Sequence, residues 1–275
     1  FKIWSANKAE SGTPLLVGQH GGLYGTGLFS FTADHELKIC DYFLSWGSTK
    51  WDSRKYSQKT IPIGIFKKYK KRVEKKSVLL ISSDISRYSC VVVSLPMSSQ
   101  WLYSTENEFN FVSLLPDYIL NDFIVRPFLH KNGWSQYDRW RDKFPIIKID
   151  SGEVRLEDLF LKSKISISTY NTTAYLETLS SNIPTMMFWD PEFSEVNKSA
   201  TKYFDILKKV GIFHDNPETA AKHLIKIWDN IDEWWESSEV INAKDIFVDR
   251  YANNSDLLGK LTKVLKDPIE DNFVN

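Results

Sequence analysis

The sequence has little cysteine, no long hydrophobic run and no net charge, and each absence excludes a class of protein. Only Cys40 and Cys90 occur, without CxxC or Cys/His spacing, so neither a disulfide framework nor a zinc site is predicted, and a reducing cytoplasm fits best. No apolar run approaches the roughly 20 residues needed to cross a bilayer. The 35 basic and 35 acidic side chains cancel, which argues against nucleic acid as a partner.

Several familiar motifs are missing as well. The chain begins at Phe1 without a basic segment followed by an apolar one, so no secretory signal is visible and a truncated or processed N-terminus is expected. No Walker loop, HExxH helix, GxSxG elbow or complete GxGxxG fingerprint occurs. No Asp-x-Asp is present to hold a metal-bound diphosphate, so we predict no metal site and no cofactor.

The length and the pattern of apolar segments predict two α/β lobes. At 275 residues with 42% hydrophobic content, the chain can bury a sizeable core. Residues 67–76 carry the strongest charge run, which is usual for a solvated linker, with an interlobe hinge or contact with an anionic membrane surface as alternatives. We therefore predict a partial N-terminal lobe over residues 1–70 and a larger lobe over residues 71–275.

The larger lobe alternates short apolar strands with amphipathic helices, which favours βαβ units, a parallel sheet and a Rossmann-like lobe. Predicted strands cover residues 14–18, 42–46, 61–65, 78–82, 123–126, 146–149, 165–168 and 184–189. Predicted helices cover residues 99–115, 136–143, 156–162, 172–181, 217–235 and 257–265. The tryptophans in these helices are expected to lie in the core.

A hydroxyl-rich turn separates a predicted strand from the helix that starts at Thr172. The start of a helix presents unpaired N–H groups and the positive end of a dipole. Ser168, Thr169, Asn171, Thr172 and Thr173 could therefore form a phosphate cradle, pointing to a nucleotide-linked substrate. The alternative is an ordinary turn capped by Asn171 or Thr172.

A glycine-rich loop follows the first predicted strand, in the order Gln19-His20-Gly21-Gly22. Ligands in open α/β sheets bind at the carboxyl ends of strands, where this loop places His20. The alternative is a tight turn in which His20 bonds a neighbouring carbonyl.

Positive charge for a phosphate could come from Arg126 and His130, just beyond another strand end. The alternative for this pair is a surface arginine and a histidine with its own hydrogen-bond partner.

Together these segments resemble a family. The His-Gly loop, Asp41-Tyr42-Phe43-Leu44-Ser45-Trp46-Gly47, Arg126-Pro127 and the Ser168–Thr173 turn with Glu177 and Pro184 are similar to transferases of bacterial surface-carbohydrate biosynthesis. More distantly, the chain resembles CDP-glycerol glycerophosphotransferases and capsule Kdo transferases, whose two facing Rossmann-like lobes form the GT-B fold. Relatives have Trp-His-Gly where this chain has Gln19-His20-Gly21, and their second histidine lies two residues from the position of His130. They are also longer at the N-terminus, so the chain resembles the C-terminal part of such an enzyme, with an incomplete acceptor lobe.

The resemblance implies a role for each matched residue. His20 would be the catalytic base, residues 168–173 would hold the donor phosphate together with Arg126, and Glu177 would hold the donor ribose. Gln19, Gly21, Gly22 and His130 would line the rest of the cleft.

The resemblance also implies the substrates and the location. The donor would be a nucleotide sugar or an activated polyol phosphate, with CMP or CDP weakly favoured, and the acceptor a lipopolysaccharide, capsule or other glycan or lipid-linked molecule. A cytoplasmic protein is expected, with peripheral contact at the inner face of the membrane as a variant. A sugar-nucleotide epimerase or hydrolase and a non-catalytic glycan- or nucleotide-binding module remain open as alternatives.

Overall fold

The computed structural model describes residues 2–65, 69, 75–89, 91–129, 132–253 and 256–273. The predicted lobe boundary at residues 70 and 71 lies outside the described residues, as do Cys90, His130 and most of the charge run.

The first lobe is a small sheet with helices. Its elements are α1 (Lys2–Glu10), β1 (Leu16–Gly18), α2 (Phe31–Ile39), β2 (Tyr42–Ser45) and β3 (Lys59–Pro62). The strands are parallel in the order β1-β2-β3. Helix α2 starts at Ser30, whose side chain accepts from the Ala33 N–H, as is usual for an N-cap. Its buried residues Ala33 and Leu37 pack with Tyr24 and Phe43 over the sheet.

The remaining elements form a second lobe around a larger sheet, except the last helix, which packs against the first lobe. They are β4 (Ser77–Ile81), α3 (Gln100–Ser113), α4 (Asp117–Leu120), β5 (Phe123–Arg126), α5 (Gln136–Lys143), β6 (Lys148–Ile149), α6 (Leu156–Lys162), β7 (Ser163–Ser168), α7 (Thr173–Ser180), β8 (Thr185–Phe188), α8 (Lys198–Lys209), β9 (Phe213–His214), α9 (Pro217–Ile227), α10 (Ile231–Trp235), α11 (Ser238–Tyr251) and α12 (Leu257–Phe273).

The six strands of this lobe are parallel in the order β6-β5-β4-β7-β8-β9. The chain winds outward from β4 in one direction and then from β7 in the other, which is the strand order of a Rossmann fold. The strand order reverses between β4 and β7, and ligands of such sheets bind outside the carboxyl ends of the strands at that point. The predicted α/β fold, with a parallel Rossmann-like lobe and a second, smaller α/β lobe, is confirmed.

The C-terminal helices return to the first lobe. Val264 of α12 is buried with Leu44 and Ile63 of the small sheet. A Cβ on Gly47 would lie 2.3 Å from the Arg250 carbonyl oxygen, so the first lobe and α11 touch through their backbones. In the described part of the chain, no helix is long and apolar enough for a transmembrane span.

Several helices and one strand were not predicted from sequence: α1, α2, α4, α8, α11 and β9. The helix predicted over residues 217–235 is interrupted by a 3-10 turn at Trp228–Asn230. At this turn Lys164 donates to the Trp228 carbonyl at 2.6 Å, and its ammonium lies 4.0 Å from the indole centroid. The helical tryptophans Trp101, Trp140 and Trp235 are buried, as expected.

Candidate active site between the two lobes

The loops at the carboxyl ends of both sheets meet. The loop after β1 donates its Leu28 N–H to the Glu195 carbonyl, 2.9 Å away, in the connection after β8. Phe29 pairs with Ser94, in the connection after β4, through a 2.7 Å bond to the Ser94 hydroxyl and a 3.0 Å backbone bond. The carboxyl ends of strands from both lobes therefore meet at one junction, where α/β folds place their ligands.

The closest approach at this junction is between Gly22 and the start of α7. A Cβ built on Gly22 would lie 2.1 Å from the Thr172 carbonyl oxygen and 2.7 Å from the Thr173 nitrogen. No side chain larger than hydrogen fits there, because real Cβ atoms do not come within 3.0 Å of another heavy atom. The structure thus brings together the glycine loop and the turn before α7, which were singled out separately in the sequence.

His20, two residues before this contact, presents a reachable imidazole. Its side chain is 61% exposed, and Nδ1 lies 3.4 Å from Glu36 Oε1. The Tyr24 hydroxyl lies 3.2 Å from Nδ1 and 3.4 Å from Nε2. His20 is therefore held from one side by two groups of the first lobe and is open to solvent on the other.

The hydrogen bonds around Tyr24 select one tautomer of His20. Tyr24 donates its hydroxyl proton to Glu36 Oε2 at 2.7 Å, so its oxygen can only accept from the imidazole. Burial, and then the bond to Glu36, raise the pKa of Tyr24 well above its ordinary value, so it stays protonated. Nδ1 is the nitrogen nearer to both acceptors, so an N–H at Nδ1 with the lone pair at Nε2 fits these contacts. Glu36, which the sequence analysis missed, is the carboxylate that orients this ring.

The hydroxyls of the turn before α7 divide into two groups. Ser168, Thr169 and Asn171 are fully buried, whereas Thr172 and Thr173 are partly exposed. Asn171 accepts a 2.8 Å bond from the Tyr175 hydroxyl. The Ser168 Oγ and the Asn171 Nδ2 are buried without a hydrogen-bond partner. In this conformation Thr172 and Thr173 are the members of the turn that a ligand can reach, and the phosphate cradle stays a prediction.

Arg126 and Glu177 already have partners. Arg126 is buried at the end of β5, forms an ion pair with Asp150 and donates to the Val154 carbonyl at 2.9 Å. Burial lowers the pKa of Arg126. Glu177 is buried one turn into α7 and accepts a hydrogen bond from the Tyr69 hydroxyl. A phosphate or a ribose would have to compete with these partners, so both assignments stay predictions.

Gln19 and Gly21 form the base of the loop. The buried Gln19 side chain donates to the Gly21 carbonyl at 2.9 Å and accepts from the Trp46 N–H at 3.0 Å. It therefore ties the loop after β1 to the end of β2. A Cβ on Gly21 would lie 3.4 Å from the Tyr24 ring, which is an ordinary contact. The close approach between the lobes thus depends on Gly22 and not on Gly21.

A buried carboxylate, Glu108 of α3, lies at the point where the strand order reverses. It accepts bonds from Ser82 after β4, at 2.6 and 2.8 Å, and from Thr169 after β7. Gln136 donates to the Ser82 hydroxyl at 2.6 Å and to the Ser83 carbonyl at 3.0 Å. Burial raises the pKa of Glu108 to about 7, although the hydroxyl bonds act in the opposite direction. The network joins the ends of the two central strands through one titratable group.

The sequence contained a signal for Glu108 that the analysis did not use. The buried residues of α3 include Trp101, Thr105, Glu108 and Val112, which share one helix face. A carboxylate within such a stripe is rare unless it has partners or a function. Asp84, just beyond β4, is a second buried carboxylate. Burial raises its pKa to about 6, and its Oδ1 has no hydrogen-bond partner.

A groove of about 740 Å³, which we call the interlobe groove, opens beside the glycine loop. It is lined by the loop from Leu23 to Phe31, by α2, by residues 50–56, and by Asn197 and Ser199 of the second lobe. Its volume is in the range of small-molecule sites. A separate hollow at Thr169 measures about 10 Å³, enough for one water molecule. Among the described residues, no three acidic, histidine or cysteine side chains are grouped to hold a metal ion.

The carboxyl ends of strands from two α/β lobes meet beside a groove and a solvent-exposed histidine. This architecture is typical of two-lobed α/β enzymes. A family model places the chain more closely, since the LIC12162 family transferase model matches residues 1–265. The chain belongs to this transferase family.

Solved structures show weaker similarity. The wall teichoic acid polymerase TagF is 13% identical, with a TM-score of 0.49, over 96% of this chain and 70% of TagF. A TagF H444N structure with CDPG is 14% identical, with a TM-score of 0.43, over 88% and 60%. A Listeria monocytogenes protein assigned as a UDP-N-acetylglucosamine 2-epimerase is 10% identical, with a TM-score of 0.45, over 99% and 78%.

The chain thus spans 60% of the TagF H444N polypeptide. A comparison with curated protein sequences finds no significant match.

Proposed function

We propose that this transferase is a glycosyltransferase that moves a sugar or a polyol phosphate from a nucleotide-activated donor to a surface-polysaccharide or lipopolysaccharide acceptor. The observation that carries the proposal is the contact of Gly22 with the Thr172 carbonyl. It would bring the loop of His20, two residues before Gly22 in the chain, to the amino end of α7, which can accept an anion. Donor phosphate and acceptor hydroxyl would meet beside this contact.

His20 would act as the general base through Nε2. The acceptor hydroxyl attacks the anomeric carbon, or the phosphorus of a polyol phosphate, and its proton moves to Nε2. The new bond forms as the bond to the leaving phosphate oxygen breaks, and the nucleotide departs as an anion. Glu36, 3.4 Å from Nδ1, stabilises the imidazolium that results. A positioned base of this kind contributes about 10²- to 10⁴-fold to the rate.

The leaving nucleotide would be stabilised by the start of α7 and by the partly exposed hydroxyls of Thr172 and Thr173. Ser168, Thr169 and Asn171, which are buried, would hold this turn in place from the protein interior. Arg126 would contribute charge after exchanging Asp150 for phosphate, and Glu177 would bind ribose after releasing Tyr69. We propose a reaction without a metal ion, a CMP- or CDP-linked donor, and a glycan or lipid-linked acceptor at the inner face of the membrane.

The test is sugar transfer by the His20→Gln variant, with His35→Gln as the matched control. His35 lies exposed on α2. We expect His20→Gln to lower kcat by about 10²-fold or more with little change in donor affinity, and His35→Gln to behave as wild type. Near-normal turnover by His20→Gln would remove the base from the mechanism.

The same assay separates the alternatives. Products are analysed with each of CMP-, CDP-, UDP- and GDP-linked donors, with and without acceptor glycan. Turnover that does not need the acceptor would indicate an epimerase or a hydrolase. Nucleotide binding without turnover would indicate a binding module, for which His20 has no role.

A further inference from the structure

A second hollow, at the outer edge of the six-stranded sheet, is lined by basic side chains. It measures about 470 Å³ and lies between the end of α8, the helix α9 and the segment from Trp234 to Val240. Lys208 and Lys209 line it from α8, and Lys222 and Lys226 line it from α9. We call it the basic hollow.

The residues that line the basic hollow carry more positive than negative charge. Glu239 is the one acidic residue that lines it, and Lys208 is paired with Asp215. In the described part of the chain, Lys209, Lys222 and Lys226 make no ion pair. Lys222 and Lys226 also stand one turn apart on α9, where like charges destabilise a helix. The excess is local, because the whole chain has no net charge.

In the interlobe groove, by contrast, Lys55 is paired with Asp34 at 2.5 Å.

An unpartnered imidazole nitrogen lies in the wall of the basic hollow. The Nε2 atom of His223 is buried and has no hydrogen-bond partner. The ring packs edge-on against Trp234, with centroids 5.3 Å apart, and lies 5.4 Å from the ring of His214. Burial, and then His214 and Lys226, lower the pKa of His223 to about 4, so the ring is neutral at pH 7. A buried polar atom without a partner is costly unless a ligand or water supplies one.

The basic hollow is separate from the candidate active site. Asn197, at the start of α8, lines the interlobe groove, whereas Lys208 and Lys209 end the same helix. Twelve helical residues separate the two ends by about 18 Å. A ligand in the basic hollow therefore does not reach the His20 loop.

We propose that the basic hollow binds a phosphate-bearing anion through Lys209, Lys222 and Lys226, beside the ring of His223. Ammonium groups bind phosphate oxygens through charge-assisted hydrogen bonds, and the volume suits a small phosphorylated molecule. The same chemistry is offered by a free phosphorylated metabolite and by the headgroup of an anionic phospholipid.

The experiment compares wild type with Lys222→Gln/Lys226→Gln and with the control Lys143→Gln/Lys148→Gln, which removes two exposed lysines elsewhere. Inorganic pyrophosphate is titrated by calorimetry at constant ionic strength. In a second arm, the protein is sedimented with vesicles that contain about 30% phosphatidylglycerol. Lys209→Gln, on a different element, serves as an independent variant in case the double variant folds poorly.

We expect pyrophosphate to bind wild type and the control equally, and about tenfold more weakly for each hollow lysine removed. The same ranking with vesicles alone would identify a lipid headgroup as the source of the phosphate. Equal binding by all variants in both arms would place the anion elsewhere, at the start of α7 for instance, and would overturn the proposal, as would absence of binding to wild type in both arms.

Discussion

Replacing Gly22 by alanine tests whether the contact between the lobes sets the geometry of the active site. The added Cβ would start 2.1 Å from the Thr172 carbonyl oxygen, and a Cβ needs at least 3.0 Å. The loop and α7 must therefore separate by roughly 1 Å, because the obstacle is backbone and cannot rotate away. A misplacement of about 1 Å at reacting groups can lower a rate by about 10²-fold. We expect this loss in kcat/KM for Gly22→Ala.

The matched control is Gly21→Ala, the neighbouring position. Its Cβ would meet the Tyr24 ring at 3.4 Å, an ordinary contact, so we expect activity close to wild type. Steady-state kinetics give the activity, and thermal unfolding shows whether each variant remains folded. The reasoning fails if Gly22→Ala retains full activity, or if both alanine variants lose activity to the same extent.

Two further predictions concern buried charges. Because burial raises the pKa of Glu108, the folded protein holds the proton of this carboxyl up to about pH 7, whereas the unfolded chain releases it near pH 4.5. The protonated carboxyl therefore favours the folded state at low pH. This contribution to the free energy of unfolding is lost as the pH rises from about 4.5 to 7. Glu108→Gln should remove this pH dependence, which amounts to a change on the order of 3 kcal/mol in the free energy of unfolding between pH 4.5 and 7. Urea denaturation across this pH range measures it, and an unchanged pH dependence would contradict the assignment. Asp150→Asn leaves the Arg126 guanidinium buried without its counter-charge and should lower the free energy of unfolding by about 3 kcal/mol, whereas Asp138→Asn, which breaks an exposed pair with Arg141, should change it by less than about 1 kcal/mol. Similar losses for the two asparagine variants would show that the Arg126 pair is solvated.

The second lobe could be predicted from sequence because its local signals agree with its packing. The helices at Gln136–Lys143 and Leu156–Lys162 and the strand at Phe123–Arg126 match the predicted bounds. Strands buried on both faces by helices form continuous apolar runs, so they are recognised without an alignment.

The helices that were not predicted differ in the strength of their apolar pattern. Helix α2 buries only Ala33 and Leu37, so its apolar stripe is too short to identify it. Helix α8 did have a pattern, since its buried residues Ala200, Phe204 and Leu207 are spaced by four and three residues after the N-cap Asn197. This spacing is typical of an amphipathic helix.

Some parts of the candidate site could be predicted from the sequence and others could not. The glycine loop and the turn before α7 were found because both follow a strand, where local composition is informative. Glu36 and Glu108 were missed because their roles depend on partners distant in sequence: Glu36 acts on His20, and Glu108 joins Ser82 to Thr169. Burial of Ser168, Thr169 and Asn171 likewise follows from how the second lobe packs and cannot be read from hydroxyl content.

The return of α12 to the first lobe limits how the two halves can move. The polypeptide passes from one half to the other twice, between β3 and β4 and again between α11 and α12, and Val264 anchors the second passage in the small sheet. If the chain were cleaved between β3 and β4, the two halves would therefore stay joined through α12, whose Val264 packs with Leu44 and Ile63 of the small sheet.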